Sequence, residues 1–301
     1  MKRGIALWGL PEEESIRAVA GELSRRGVPH LVIDQRQSRR SRLDVSGIEV
    51  VFARPTNLRK LLLDEGEAPD SLSYRRALGF ERDLFAWADM TPIRVINRPS
   101  AAASNGSKPY QAELIRHHGF EIPPTLVTTS PAAVREFHQA YGQVIYKSVS
   151  SCRSTVSRLR DPVLEALNDV VNCPTQFQAW IPGVDWRVHV IGDAVYACEI
   201  RCRADDYRMA HEEGESIEFN LSARLPPVVA MRCHALTRLL GLELAGIDLR
   251  RTEADAWYCF EVNPAPAFTW FERNTGQPLT AAVAHLLAGV PRSEAICTRV
   301  N

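Results

Sequence analysis

Two carboxylates and an amide occupy positions that a strand pair would bring together. In WYCFEVNPAPAF (257 to 268), Glu261 and Asn263 alternate with Phe260 and Val262 before the first proline ends the run. Side chains along a strand point to opposite faces with a period of two, so Glu261 and Asn263 share one face while Phe260 and Val262 share the other. Upstream, LAGIDLR (244 to 250) sets Ile247 and Leu249 on one side and Asp248 on the other. The polar stretch TEADA between the two runs reads as the turn of a hairpin. A turn centred between Ala254 and Asp255 places Asp248 directly opposite Glu261. Facing carboxylates destabilise a strand pair, and a bound cation reverses that sign. An oxygen-only donor set with two anions suits Mg²⁺ rather than zinc and leaves coordination places for water and phosphate. A polar, solvated hairpin face is the other reading of the same residues.

Two lysines stand in positions of similar interest. Lys147 follows VIY on the apolar strand QVIYKS (143 to 148), where an ammonium needs an anion or a solvent opening. Lys108 opens the helix SKPYQAELIRHHGF (107 to 120), a place that a solvated lysine fills equally well.

The elements that must carry these residues fall into three regions. Strands are expected at GIALWGL (4 to 10), LVID (31 to 34), IEVVFAR (48 to 54) and IRVIN (93 to 97), with helical material between, so residues 1 to 96 read as an α/β layer domain. No GxGxxG follows the first strand, which excludes a dinucleotide fingerprint. From 97 to 181 a small α+β unit carries both lysines. Residues 182 to 301 begin with DWRVHVIGDAVYACEIR (185 to 201), a hairpin split at Gly192-Asp193, and hold two helices ending at Gly241 and Gly289.

Composition narrows the function classes. The 301 residues carry 36 basic and 36 acidic side chains, so no global positive field for nucleic acid exists. Cys152, Cys173, Cys198, Cys202, Cys233, Cys259 and Cys297 are scattered and odd in number, which fits a reducing cytoplasm better than a disulfide framework. Cys198, Cys202 and His211 lack the spacing of a tetrahedral metal site. No segment reads as a signal peptide or membrane span, so a soluble cytoplasmic protein without a membrane or nucleic-acid partner is expected.

In order and spacing, Lys108, Lys147, FQAWIPGVDWR and the Asp248/Glu261/Asn263 hairpin resemble the ATP-grasp ligases. AGIDLRR and CFEVNPAPAF look like segments of ribosomal-protein glutamate ligases and bacterial glutathione synthetases. NGSKPYQAELIRHHGFEIPPTLVTT, PTQFQAWIPGVDWRVHVIGDAVYACEI and TGQPLTAAVAHLLAG look more like the microviridin-type peptide ligases. The resemblance runs from about residue 95 to 290. It implies an α/β ATP-grasp fold with an N-terminal pre-ATP-grasp domain, a lid subdomain and a C-terminal metal-binding subdomain. It also implies ATP and Mg²⁺ as cofactors, two ions being expected and Mn²⁺ being an alternative.

Carried over by position, Asp248, Glu261 and Asn263 would hold metal, while Lys108 and Lys147 would hold phosphates. Ala179 and Ile181 would meet adenine with backbone groups, Gln178 would lie nearby, and Asp185 would accept from ribose hydroxyls. Arg187 would reach phosphate or an acyl phosphate, its other reading being a cross-strand ion pair; Trp180 and His189 read as structural. Departures from the family pattern are Ala179 where an acid is common and the glycine-free KSVSSCRSTVS (147 to 157), in which Arg153 could grip phosphate.

The implied reaction joins a carboxylate to an amine or hydroxyl through an acyl phosphate. Its substrate is expected to be a ribosomal peptide, accommodated by a mobile 203 to 216 segment. Free amino acids or small metabolites are the alternative substrates, and a non-catalytic ATP-binding regulator is the third reading. A homodimer is one assembly open to such a chain.

Overall fold

The computed structural model describes residues 4–38, 45–69, 71–149, 156–161, 167–204, 206–210 and 214–289. Three sheets organise them. The first is parallel, with strands β1 (Gly4–Gly9), β2 (His30–Asp34), β3 (Ile48–Arg54) and β4 (Arg94–Ile96) in the order β2-β1-β3-β4. Its strands are apolar on both faces because helices cover both sides. Ala6, Trp8 and Val51 pack against Leu84 and Ala88 of the helix Leu72–Met90. On the opposite face, Ile5, Leu7, Val50 and Phe52 meet Ile16, Val19 and Leu23 of the helix Glu14–Arg25. That second core also takes in Phe268, Phe271, Val283 and Leu287 from the helices Phe268–Thr275 and Leu279–Ala288. The first sheet and the C-terminal helices thus share apolar burial.

Antiparallel β5 (Thr125–Thr128), β6 (Val144–Ser148), β7 (Ser157–Arg158) and β8 (Thr175–Ala179) form the second sheet, ordered β5-β8-β6-β7. Val134 of the helix Pro131–Tyr141 closes its core with Val144, Leu159, Leu167 and Phe177. The third sheet, also antiparallel, contains β9 (Val184–Ile191), β10 (Ala194–Cys202), β11 (Ile217–Asn220), β12 (Leu244–Arg251) and β13 (Trp257–Asn263), in the order β11-β10-β9-β12-β13. One of its faces is buried by Val229, Cys233 and Leu236 of the helix Pro227–Leu239. No helix among the described residues is long and apolar enough to cross a membrane.

The β12–β13 hairpin pairs Asp248 with Glu261 and Gly246 with Asn263, the register expected at the charged end. Nearer the turn the register shifts, so that Leu249 faces Cys259. Phe260 is the extra residue of a bulge, which breaks the period-two alternation. Phe260 therefore lies on the same side as Glu261, not on the opposite face as the alternation predicts. The turn itself closes with Thr252 N donating to Ala256 O at 3.0 Å and Asp255 at φ 59°.

Asn97, directly after β4, ties the hairpin to the first sheet. Its Nδ2 donates to Leu244 O at 2.7 Å and Pro264 O at 2.6 Å, while its Oδ1 accepts from Glu243 N at 2.9 Å and Leu244 N at 3.3 Å. Beside it, Arg94 forms an ion pair with Glu243. Replacing Asn97 by alanine removes every one of these amide bonds and leaves backbone groups unpaired. The expected loss is about 3 kcal/mol, read as a lower urea midpoint at unchanged slope; a midpoint equal to the parent's would contradict this role.

Candidate active site

β12 and β13 present Asp248 and Glu261 side by side, and the two lysines and an arginine arrive from other elements. Lys147 comes from the end of β6, Lys108 from the start of the helix Lys108–Arg116, and Arg208 from the short turn Tyr207–Met209. All five line one open cleft. Burial pushes the Glu261 carboxyl up from its ordinary value, and the Asp248 charge pushes it further. Burial likewise pulls the Lys147 ammonium down to about 8, with Glu261 opposing and Lys108 and Arg208 assisting. Lys108 is lowered for the same first reason. Lys108, Lys147 and Glu261 are thus held at a desolvation cost that an incoming ligand of the right charge would relieve.

Arg187 takes the position that its neighbours on the sheet dictate. It pairs with Asp248 across β9 and β12, and its Nη1 donates to Asp248 Oδ1 at 2.7 Å. Only 5% exposed, it lies behind Asp248 and does not line the cleft, so the cross-strand ion pair is the reading that the geometry favours. Its Nε donates to His189 Nε2 at 3.4 Å, and its guanidinium sits 5.2 Å from the Phe271 ring centroid. His189 is buried, and desolvation together with Arg187 holds it well below the usual imidazole range, hence neutral. A Cβ built on Gly246 would overlap the Arg187 guanidinium and approach Pro266, so only glycine leaves room for this packing. Tyr207 Oη donates to the same Asp248 oxygen at 3.3 Å.

The donor set fits a hard cation. Asp248, Glu261 and Asn263 supply oxygen only, and the pairing of Asp248 Oδ1 with Arg187 leaves Oδ2 for a metal. Asn263 Oδ1 accepts from Ala265 N at 2.8 Å and retains a second lone pair. Two carboxylates and an amide leave the remaining positions to water and phosphate.

At the other end of the cleft, the strand crossing from β8 carries the residues expected to meet a base. Ala179 N donates to Pro124 O at 2.9 Å, and Pro124 continues the β5 ladder beyond Thr125, which faces Gln178. An ordinary ladder partner would return an N–H to the Ala179 carbonyl, but proline has none. The Ile181 carbonyl accepts from Arg250 Nη1 at 2.9 Å. Ala179 C=O and Ile181 N–H are therefore the groups offered at this edge. Gln178 donates to Thr125 Oγ1 at 3.0 Å, and its buried Oε1 has no partner among the described residues. Trp180, read as structural, instead lines the cleft with Arg158 and Arg250 stacked on its ring at 4.1 and 4.4 Å from the centroid. Asp185 is bound by Arg250 through both oxygens, at 2.7 and 2.9 Å; burial pushes its carboxyl up while the guanidinium opposes.

Several of these residues escaped the sequence reading. Arg250 shares a strand face with Asp248 two positions away, so the same alternation could have found it. Phe260 enters only through the bulge. Arg208 belongs to the 203 to 216 segment, expected to be mobile, yet Asp206, Tyr207 and Ala210 are buried. Asp206 grips Arg208 through Nε at 2.8 Å and Nη2 at 2.5 Å, which raises the guanidinium's proton affinity above its ordinary value. Arg153 and His211 lie outside the described residues.

Comparison with known proteins bears on the fold and the family. The ATP-grasp ligase PsnB, solved with a minimal precursor, Mg and ADP, superposes with a TM-score of 0.75 at 25% identity, over 95% of this chain and 96% of that one. Macrocyclase MdnC from Microcystis aeruginosa MRC, solved with the precursor peptide MdnA, shares the fold with a TM-score of 0.82 at 18% identity, over 95% and 100% of the two chains. A probable alpha-L-glutamate ligase of Parasynechococcus marenigrum (strain WH8102) is 26% identical over 199 residues, 62% of this chain and 42% of that protein. The chain thus spans less than half the length of that curated relative. The description "RimK-like ATP-grasp domain" matches residues 107 to 287, more than half of the sequence and all of the cleft described above, and the chain belongs to that family.

Proposed function

We propose that the protein is an ATP-dependent ligase that activates a carboxylate as an acyl phosphate and joins it to an amine or hydroxyl, with a ribosomal precursor peptide as substrate. The observation that carries this reading is the meeting of Asp248 and Glu261 with Lys108, Lys147 and Arg208 in one cleft. That charge arrangement matches a metal-bound triphosphate and little else of small size. Adenine would sit against Ala179 C=O and Ile181 N–H between apolar walls. Ribose hydroxyls would use the lone pairs of Asp185 that Arg250 leaves open.

Asp248, Glu261 and Asn263 would hold Mg²⁺, two ions being proposed, and when bound the metal neutralises and orients the phosphates. Lys108, Lys147 and Arg208 would follow the charge of the transferred group. A substrate carboxylate oxygen attacks the γ-phosphorus and ADP leaves; the acceptor nitrogen or oxygen then attacks the acyl carbon, phosphate leaves, and the acceptor loses a proton. Arg187 acts from behind, holding Asp248 in the orientation it presents to the cleft. The rate gain comes from positioning and charge neutralisation, and no covalent protein nucleophile is needed.

A peptide substrate is supported by PsnB and MdnC, each solved with a precursor or precursor peptide and each aligned over almost the whole chain. The second reading, a ligase of free amino acids, is favoured by the relatives described as probable alpha-L-glutamate ligases. The described cysteines Cys173, Cys198, Cys202, Cys233 and Cys259 are free, which supports a cytoplasmic setting for either.

Incubation with Mg-ATP and a candidate precursor peptide should give products lighter by one water per bond formed, with ADP released in step. Condensation of glutamate or other free amino acids without dehydration of any peptide would move the assignment to the second reading. In either case Asp248→Asn and Glu261→Gln are expected to lower turnover on the order of a hundredfold, about 3 kcal/mol of transition-state stabilisation. Near-parental turnover in both would remove the metal assignment.

The buried Lys147 gives a pH signature. Its ammonium is fully present below about 8 and is lost above it, whereas bound phosphate would raise its proton affinity again. Mg-ATP affinity should therefore be level at lower pH and fall by up to about tenfold per unit above pH 8. Calorimetry in two buffers of different ionisation heat should show proton uptake in that window, and Lys147→Arg should reduce it to what Lys108 contributes. Binding without proton uptake would contradict the burial of this amine.

A further inference from the structure

β13 is the outer strand of its sheet, so its outward N–H and C=O groups meet no neighbouring strand among the described residues. Near the turn, the backbone of Glu121 serves them: Glu121 N donates to Trp257 O at 3.1 Å, and Cys259 N donates to Glu121 O at 2.9 Å. At the metal end a side chain takes over. Gln111 Nε2 donates to Val262 O at 2.9 Å, and Val262 N donates to Gln111 Oε1 at 2.9 Å. The amide thereby replaces a strand partner at the one residue that separates Glu261 from Asn263. Gln111 is only 3% exposed, and its orientation follows from the backbone, whose N–H requires the oxygen and whose C=O requires the amine.

The same helix carries Lys108 three residues earlier, and side chains three apart share a helix face. The lysine that would reach phosphate and the amide that grips the metal strand therefore belong to one rigid turn. We propose that Gln111 is a positioning residue, which sets Glu261 and Asn263 in place and fixes their distance from Lys108. Leucine or methionine would fill the space and bond neither backbone group. Glutamate would still accept from Val262 N–H but would turn an anion towards the Val262 carbonyl.

The proposal rests on Asp248, Glu261 and Asn263 being metal ligands, and the experiment separates the two. Mn²⁺ binding to the full chain in the presence of ADP is titrated by electron paramagnetic resonance for the parent, Gln111→Leu, Gln111→Glu, Asp248→Asn and Thr237→Val. Thr237 is a buried helical residue whose hydroxyl bonds Cys233 O, so its variant controls for lost stability alone. Partners that orient metal ligands typically contribute 10- to 100-fold in affinity, and Gln111→Leu is expected to weaken Mn²⁺ binding on the order of tenfold or more. Gln111→Glu should weaken it as well, although its added negative charge alone would tighten it. Thr237→Val should leave it unchanged. Loss of binding in Asp248→Asn with parental affinity in both folded Gln111 variants overturns the proposal, as does a folded Gln111→Glu that binds more tightly if Gln111→Leu does not fold. Parental affinity in Asp248→Asn overturns the metal reading instead.

Discussion

Asp248 and Glu261 face each other across two adjacent strands, and most of the surrounding structure answers to that repulsion. Neither carboxylate is left to water alone. Arg187, buried beside Asp248 on the same face of the sheet, neutralises one, and the Tyr207 hydroxyl adds a further bond to the same oxygen. Lys108, Lys147 and Arg208 face the other from across the cleft. The two lysines are themselves desolvated, so the site holds costly charges of both signs. Such a set is stable enough to fold and strained enough to favour a ligand that brings both a divalent cation and a polyanion.

The mechanical framework follows the same logic. The hairpin that carries the carboxylates is gripped from outside by two side-chain amides, Asn97 at its base and Gln111 beside Val262. Each amide both donates to and accepts from backbone, and at Gln111 this serves the outer strand β13. Gly246 leaves space for the Arg187 guanidinium, and Pro124 withholds the N–H that would have consumed the Ala179 carbonyl. Residue types that are unremarkable in composition acquire meaning through what they omit.

The hairpin register was legible because a short polar turn and two alternating runs fix which residues face each other, and a carboxylate pair is chemically conspicuous. Lys147 was legible because an ammonium on an apolar strand calls for an explanation. Phe260 was misplaced because a bulge has no marker in a run of β-formers. Arg208 was hidden because its place at the cleft depends on Asp206 and Tyr207 being buried beside it, a tertiary contact that a polar, charged segment does not announce. For Arg187 the sequence left two readings open, phosphate contact and a cross-strand ion pair, since period-two reasoning gives a face and not a depth; the structure shows the ion pair. Gln111 and Asn97 were silent: an amide that replaces a strand partner looks like any other polar residue until the edge it serves is known.

The central claim is that the facing carboxylates form a metal site shared with the phosphates of a nucleotide. Its most direct test is anomalous scattering from crystals grown with Mn²⁺ and ADP. The account predicts a metal peak within coordination distance of both Asp248 and Glu261 and of a phosphate oxygen, with the base against Ala179 and Ile181. Nucleotide bound in the cleft with the metal elsewhere, or with the two carboxylates still turned only to Arg187 and the lysines, would contradict it.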